Sequence, residues 1–200
     1  MTKTIRYILL TLMLIVMLSV PTSARTASSI GASHPAFANA VRCGRIKLKH
    51  VKVGRTVLIY DTKIPKKRVR AVRRWISFLP RKVQKTARHV YFLRRSAYLK
   101  TGGADLEGTL GYEIFEDQEI YFYSTADYDD MQAVLYHEFG HAYDNRTGKY
   151  LKYSSSKEWH KIGRGSGNRA EYFAECFADY FAFLYTREAR FISRLLNGGR

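Results

Sequence analysis

The order of apolar patterns along this chain predicts an α+β fold. Two β-branched runs come first, at 55–60 (RTVLIY) and 89–93 (HVYFL), separated by an amphipathic helix at 66–79. A hairpin pattern follows at 108–123, and two long helical segments come after it. This reads as a small mixed sheet with helices packed on it.

Each element has a local cause. Residues 25–40 are rich in Ser, Ala, Thr and Gly, include Pro35 and lack periodicity, so they read as a flexible linker. In 66–79, Val69, Val72, Ile76 and Leu79 share one helical face opposite Arg and Lys, and Pro80 ends the helix. Gly102-Gly103 makes a turn. In GTLGYEIFEDQEIYFY the first arm covers 112–115 and the second 119–123, with Glu116-Asp117-Gln118 at the bend. Asp127 to Asp130 supply N-cap and first-turn acids for a helix over about 130–143. After a loop with serines and glycines, the last long helix spans 168–186 (NRAEYFAECFADYFAFLYT). There is no internal repeat.

Length and composition set the frame. The chain has 200 residues, enough for one domain with its own core. Lys3 and Arg6 precede a 14-residue apolar run at 7–20, and Pro21-Thr22-Ser23-Ala24 then places small residues where a signal peptidase reads. The expectation is a signal peptide at 1–24 and a secreted, monomeric protein. The alternative is an uncleaved anchor, for which the run is short. Residues 25–50 then form a linker and basic N-terminal segment, and 51–200 the folded domain. Cys43 and Cys176 allow one bridge, but Cys176 falls in an apolar helix, where a buried free thiol is the commoner state.

The formal charge is +17, or +15 without Lys3 and Arg6. Residues 42–100 hold 20 Lys and Arg against the single acid Asp61, whereas 101–200 hold 11 against 16 acids, a balance of −5. The basic stretch reads as a solvated face giving loose attachment to an anionic cell wall or membrane surface. No signature of a nucleic-acid module accompanies it, so no specific nucleic-acid partner is expected.

Chemistry concentrates in LYHEFGHAYDN at 135–145. His137 and His141 are one helical turn apart and share a face, so both imidazoles reach one metal ion. Glu138 follows the first histidine and reaches a water beside that metal. This is the H-E-x-x-H pattern of zinc peptidases. A hydrolytic zinc takes three protein ligands and leaves a position for water. Glu158, His160, Glu171, Glu175 and Asp179 are the downstream candidates. Glu171 and Glu175 lie one turn apart amid Phe173, Phe177 and Phe181, where buried carboxylates need partners. Glu171 is therefore assigned to the metal, and Glu175 to the free N–H of a ligand histidine. The bland alternative puts both on a solvent-exposed helix edge. His160, in a polar segment, reads as a surface histidine. Asp144 fixes either the helix end or a ligand's orientation.

HEFGHAYDN followed by NRAEYFAECFADY resembles the catalytic domain of anthrax lethal factor and the related Pro-Pro endopeptidases, a gluzincin family. The likeness covers about 55–187, carried specifically by the two helical motifs and upstream only by element order. It implies a zincin-like metalloprotease domain hydrolysing a peptide or protein substrate. In that reading Zn2+ is held by His137, His141 and Glu171, with Glu138 as general base. It also implies an edge strand above the metal that pairs with substrate backbone, expected at Glu119, Ile120, Tyr121, Phe122 and Tyr123. The family's tyrosine seven residues before the glutamate ligand is replaced here by Arg164. Its guanidinium offers the same electrostatic service to an oxyanion. Tyr150 and Tyr153 are alternatives from the intervening loop. Only 30 residues separate His141 from Glu171, fewer than in lethal factor, so the bordering loop is trimmed. The rival expectation is a catalytically weak or inactive protein of this fold that binds anionic cell-surface polymer or nucleic acid through 42–100.

Overall fold

The computed structural model describes residues 34–102, 109–114, 116–145, 152–162, 168–182 and 186–198. The chain divides into two compact units, Met1–Lys47 and Leu48–Arg200. In the first, the stretch read as linker contains a helix, α1 (Pro35–Arg42), with Pro35 in its opening turn. The N–H of Cys43 and of Gly44 close on the carbonyls of Asn39 and Val41. Composition concealed this helix among small residues, yet Phe37, Ala38 and Ala40 give it a short buried apolar face. The signal-peptide and Arg164 assignments lie outside the described residues.

The second unit is α+β. Strands β1 (Leu48–Val53), β2 (Thr56–Asp61), β3 (His89–Leu93), β4 (Gly111–Ile114) and β5 (Glu119–Tyr123) form a mixed sheet in the order β1-β2-β3-β5-β4. Its helices are α2 (Lys66–Phe78), α3 (Arg81–Gln84), α4 (Arg95–Gly102), α5 (Tyr128–Asp144), α6 (Lys157–Ile162), α7 (Arg169–Phe181) and α8 (Arg187–Asn197). β1 and β2 pair antiparallel around Gly54-Arg55, with Gly54 at φ +60 supplying the backbone a two-residue hairpin needs. β2, β3 and β5 run parallel, and β4 returns antiparallel to β5.

One sheet face carries Leu58, Val90, Phe92, Ile120 and Phe122 into the main core, against Val72 and Ile76 of α2 and Leu135 and Phe139 of α5. Burying one such phenylalanine is worth about 1.5–3 kcal/mol. Gln84 closes a polar gap in this layer. Its Nε2 donates to the carbonyls of Ile76 (3.2 Å) and Leu79 (2.8 Å), and its Oε1 accepts from Arg55 N–H (2.9 Å). Two carbonyls at the end of α2, those of Ile76 and the C-cap residue Leu79, are thereby satisfied. On the other face Tyr91, Tyr121 and Tyr112 stack in register across β3, β5 and β4, with ring centres 4.4 and 5.0 Å apart. Buried Glu119 accepts from the hydroxyls of Tyr91 (3.3 Å) and Tyr121 (2.5 Å).

The sheet order corrects one expectation. β5 is paired on both sides, by β3 and by β4, so Glu119, Ile120, Tyr121, Phe122 and Tyr123 have no free ladder to offer a peptide. Four of these five residues are buried, which is how the nearly continuous apolar run EIYFY marks an interior strand. Among the described residues the edge strands are β1 and β4, and β4 is the one beside β5. The helix that carries Glu171 is likewise not the last among the described residues: α7 stops at Phe181, and α8 follows, capped by Thr186 accepting from Ala189 N–H at 3.0 Å. Among the described residues no helix is long and apolar enough to cross a membrane.

Candidate metal centre

Helix α5 opens with Asp127 as N-cap, its carboxylate accepting from Asp129 N–H at 2.7 Å, and with Asp129 and Asp130 in the first turn. It lays Leu135, Phe139 and Ala142 into the core and leaves His137 and His141 half-buried on another face. Helix α7 opens at Asn168, whose side-chain oxygen accepts from the N–H of Ala170 (3.1 Å) and Glu171 (3.3 Å). Capping thus sets the backbone of Glu171 in the first turn. Gly140 lets the two helices touch: a Cβ there would stand 2.9 Å from Ala174 Cα and 3.0 Å from Phe177 Cβ.

These helices bring three donors together. His137 Nε2 and His141 Nε2 are 3.0 Å apart, and the Glu171 carboxylate oxygens lie 3.2 Å from the first and 3.4 Å from the second. Zinc bound at roughly 2.0–2.1 Å in a tetrahedral site spaces its ligand atoms by about 3.3 Å. The donor set and its spacing therefore fit such an ion. Burial and the neighbouring His137 hold the His141 imidazole below the usual histidine range, toward the neutral form a metal requires. The side chain of Glu171 is 50% exposed, so the cluster opens on one side to solvent.

That opening is a cleft of about 940 Å³. One wall is β4 with Thr109 and Leu110, the other is α7 from Ala170 to Asp179, and α5 contributes Ala133, Val134, Glu138 and both histidines. Glu138 borders the cleft at 5% exposure and has no hydrogen-bond partner among the described residues. Burial, then the carboxylates of Glu171 and Glu113, push its pKa up to about 8. Gly111 brings the β4 backbone against it, since a Cβ there would lie 3.1 Å from Glu138 Oε1 and 2.8 Å from Val134 Cγ1.

Other expected site residues fall elsewhere. Glu175 lines the cleft but is exposed one turn beyond Glu171, and no hydrogen bond among the described residues joins it to a histidine. Asp144 is buried at 1% exposure and accepts from the N–H of Tyr153 and of Ser154 (2.9 Å). It pins the segment after α5 rather than orienting a ligand. Tyr153 is stacked between the rings of Tyr143 and Phe173, at 5.2 and 6.1 Å, and does not border the cleft. Tyr150 lies outside the described residues, as does Arg164. His160 is exposed, and both cysteines are free thiols, Cys43 exposed and Cys176 buried.

Sequence reading gives no role to Glu113 and weighs Asp179 only as a metal ligand. Glu113, on β4, accepts from Asn145 Nδ2 at 3.1 Å, and burial raises its carboxyl to about 7. The lining holds six carboxylates, those of Glu113, Glu116, Glu138, Glu171, Glu175 and Asp179, and no Lys or Arg among the described residues. In a chain of charge +17, this concentration of acid is local to the cleft. Compared with models of protein families, with curated proteins and with solved structures, the chain matches none.

Proposed function

We propose that the chain is a zinc-dependent endopeptidase of the zincin type, related to the lethal-factor catalytic domain. His137, His141 and Glu171 would hold the ion, and Glu138 is the general base. The observation that carries this reading is the convergence of two Nε2 atoms and a carboxylate within 4.8 Å beside the buried Glu138. A bound zinc ion would supply a Lewis acid and a water acidified toward neutrality. Glu138 takes the proton of the attacking water on one carboxylate oxygen and delivers it to the departing amine. Its apolar burial favours a proton-accepting group poised near neutral pH. Strand β4, which ends the sheet among the described residues, gives an extended substrate its backbone partners, and Gly111 keeps that strand close to Glu138. The six carboxylates select cationic segments.

The test is cleavage of a diverse peptide library, read by mass spectrometry, with zinc content quantified. The wild type should cut and Glu138→Gln should bind zinc without cutting. Cleavage by Glu138→Gln removes the base assignment. Stoichiometric zinc with no cleavage by the wild type removes the peptidase, and absence of zinc removes the metal centre.

A further inference from the structure

A second concavity, of about 780 Å³, lies where α2, α5, α7 and α8 meet and shares no residue with the cleft. Phe78, Pro80, Tyr136, Phe181 and Leu196 give it an apolar lining, and the exposed Arg74 and Arg190 border it. Phe78 is 61% exposed, the only large hydrophobic side chain so exposed among the described residues. The Arg74 guanidinium stands 5.5 Å from its ring centre. Upstream on the same helix, Lys66, Lys67, Arg70 and Arg73 are exposed. Helix α2 contains no acid, and none of these cations pairs with a carboxylate among the described residues.

We propose that this face docks on an anionic phospholipid bilayer. Phe78 enters the acyl layer, one acyl chain lies in the groove, and the α2 cations with Arg190 meet the headgroup phosphates. The charges and the apolar surface are complementary to the two layers of one lipid leaflet and stand side by side as those layers do. A nucleic acid would match the cations and leave the concave apolar lining unfilled. An acyl chain fills it, removing from water apolar surface that the fold otherwise leaves exposed.

The test uses the full chain with vesicles of phosphatidylcholine alone or mixed with phosphatidylglycerol, read by co-sedimentation. The apolar run at 7–20 is common to every variant, so differences between variants report this face. The wild type should prefer the phosphatidylglycerol vesicles, and added salt should weaken binding. Arg74→Gln and Arg190→Gln should each lower partitioning about fivefold, as expected for one cation near an anionic surface. Phe78→Ser should lower it roughly tenfold. All three positions are exposed, and circular dichroism checks each fold. Monomeric dihexanoyl phosphatidylglycerol, titrated into the wild type by NMR, reads the groove without a bilayer or a variant. Saturable binding, absent with inorganic phosphate, supports the acyl site. Lack of saturation, or wild-type partitioning by Phe78→Ser, overturns it. Displacement from vesicles by single-stranded DNA that binds Phe78→Ser as tightly as the wild type makes the face a general polyanion surface and also overturns the proposal.

Discussion

Gly140→Ala is the most informative single methyl group to add to this molecule. The new Cβ would sit 2.9 Å from Ala174 Cα, which is 0.5 Å inside the 3.4 Å at which ordinary contact begins. The obstacle is backbone, so a side chain cannot swing away, and α7 must retreat from α5 by about 0.5 Å. Two effects on stability oppose each other. Alanine gains about 1 kcal/mol of helix propensity over glycine, while overpacking costs about 1–3 kcal/mol. The net expectation is a loss of about 0–2 kcal/mol in urea unfolding of the metal-free protein. The effect on the proposed metal centre should be larger in proportion. Glu171 rides on α7 and both histidines on α5, so their 3.2 and 3.4 Å separations open together. Zinc affinity, measured by competition with a chromogenic chelator, should fall about 10–100-fold, as when a ligand's support is altered. A variant that binds zinc like the wild type, or unfolds at a higher urea concentration, would refute the claim that close helix approach sets the donor spacing.

Glu113 gives a pH signature. Its folded pKa, about 7, lies above the ordinary value of 4.5, so the folded state holds the extra proton, and its contribution to stability falls as pH rises from about 4.5 to about 7. Glu113→Gln should flatten that part of the stability curve of the metal-free protein. The double change Glu175→Lys with Asp179→Lys should lower kcat/KM for lysine-rich peptides at least roughly tenfold and spare neutral ones, checked by competition within one peptide pool. Asp61→Ala removes a buried carboxylate that accepts from Arg94 Nε at 2.7 Å and Lys63 N–H at 2.9 Å, and should cost about 2–4 kcal/mol in urea unfolding.

The parts legible in sequence were those with strong local causes. β3 spans the run at 89–93, α2 follows the apolar face that Pro80 terminates, and the β4–β5 hairpin turns at Glu116-Asp117-Gln118, as the residue types indicate. Gln118 takes φ +55 there, a strain that a non-glycine turn residue accepts for closure. His137, His141 and Glu171 do converge, but the burial argument that singled out Glu171 does not hold, because Glu171 and Glu175 both lie on an exposed edge of α7. Strand order was not legible, because nothing local tells a hairpin which of its arms will meet a third strand. The swap of β4 for β5 at the edge came from that. β1 and α6 are obscured because LKHVKV and KEWHKI are short and charge-rich, and α3 and α4 because they are short, whereas α8 carries Ala189, Ile192 and Leu196 at helical spacing and is hidden only by reading one continuous helix to 186. Asp144 takes the helix-end role, one of the two that the sequence leaves open, and Glu175 makes no hydrogen bond to a histidine among the described residues. Sequence placed each on the correct helix, yet which donors a carboxylate finds is decided by backbone packing back onto it, as the N–H groups of Tyr153 and Ser154 do onto Asp144.

That β4 ends the sheet among the described residues has a colloidal consequence. An unpaired strand edge templates other strands, including the same edge of another copy. Among the described residues this edge is only four residues long, and in an antiparallel pairing of two copies centred on Glu113 that acid would face its own counterpart. Like charges meeting across a ladder repel. In that register Glu113 would disfavour edge-to-edge joining of concentrated protein above about pH 7, where its carboxyl is ionised.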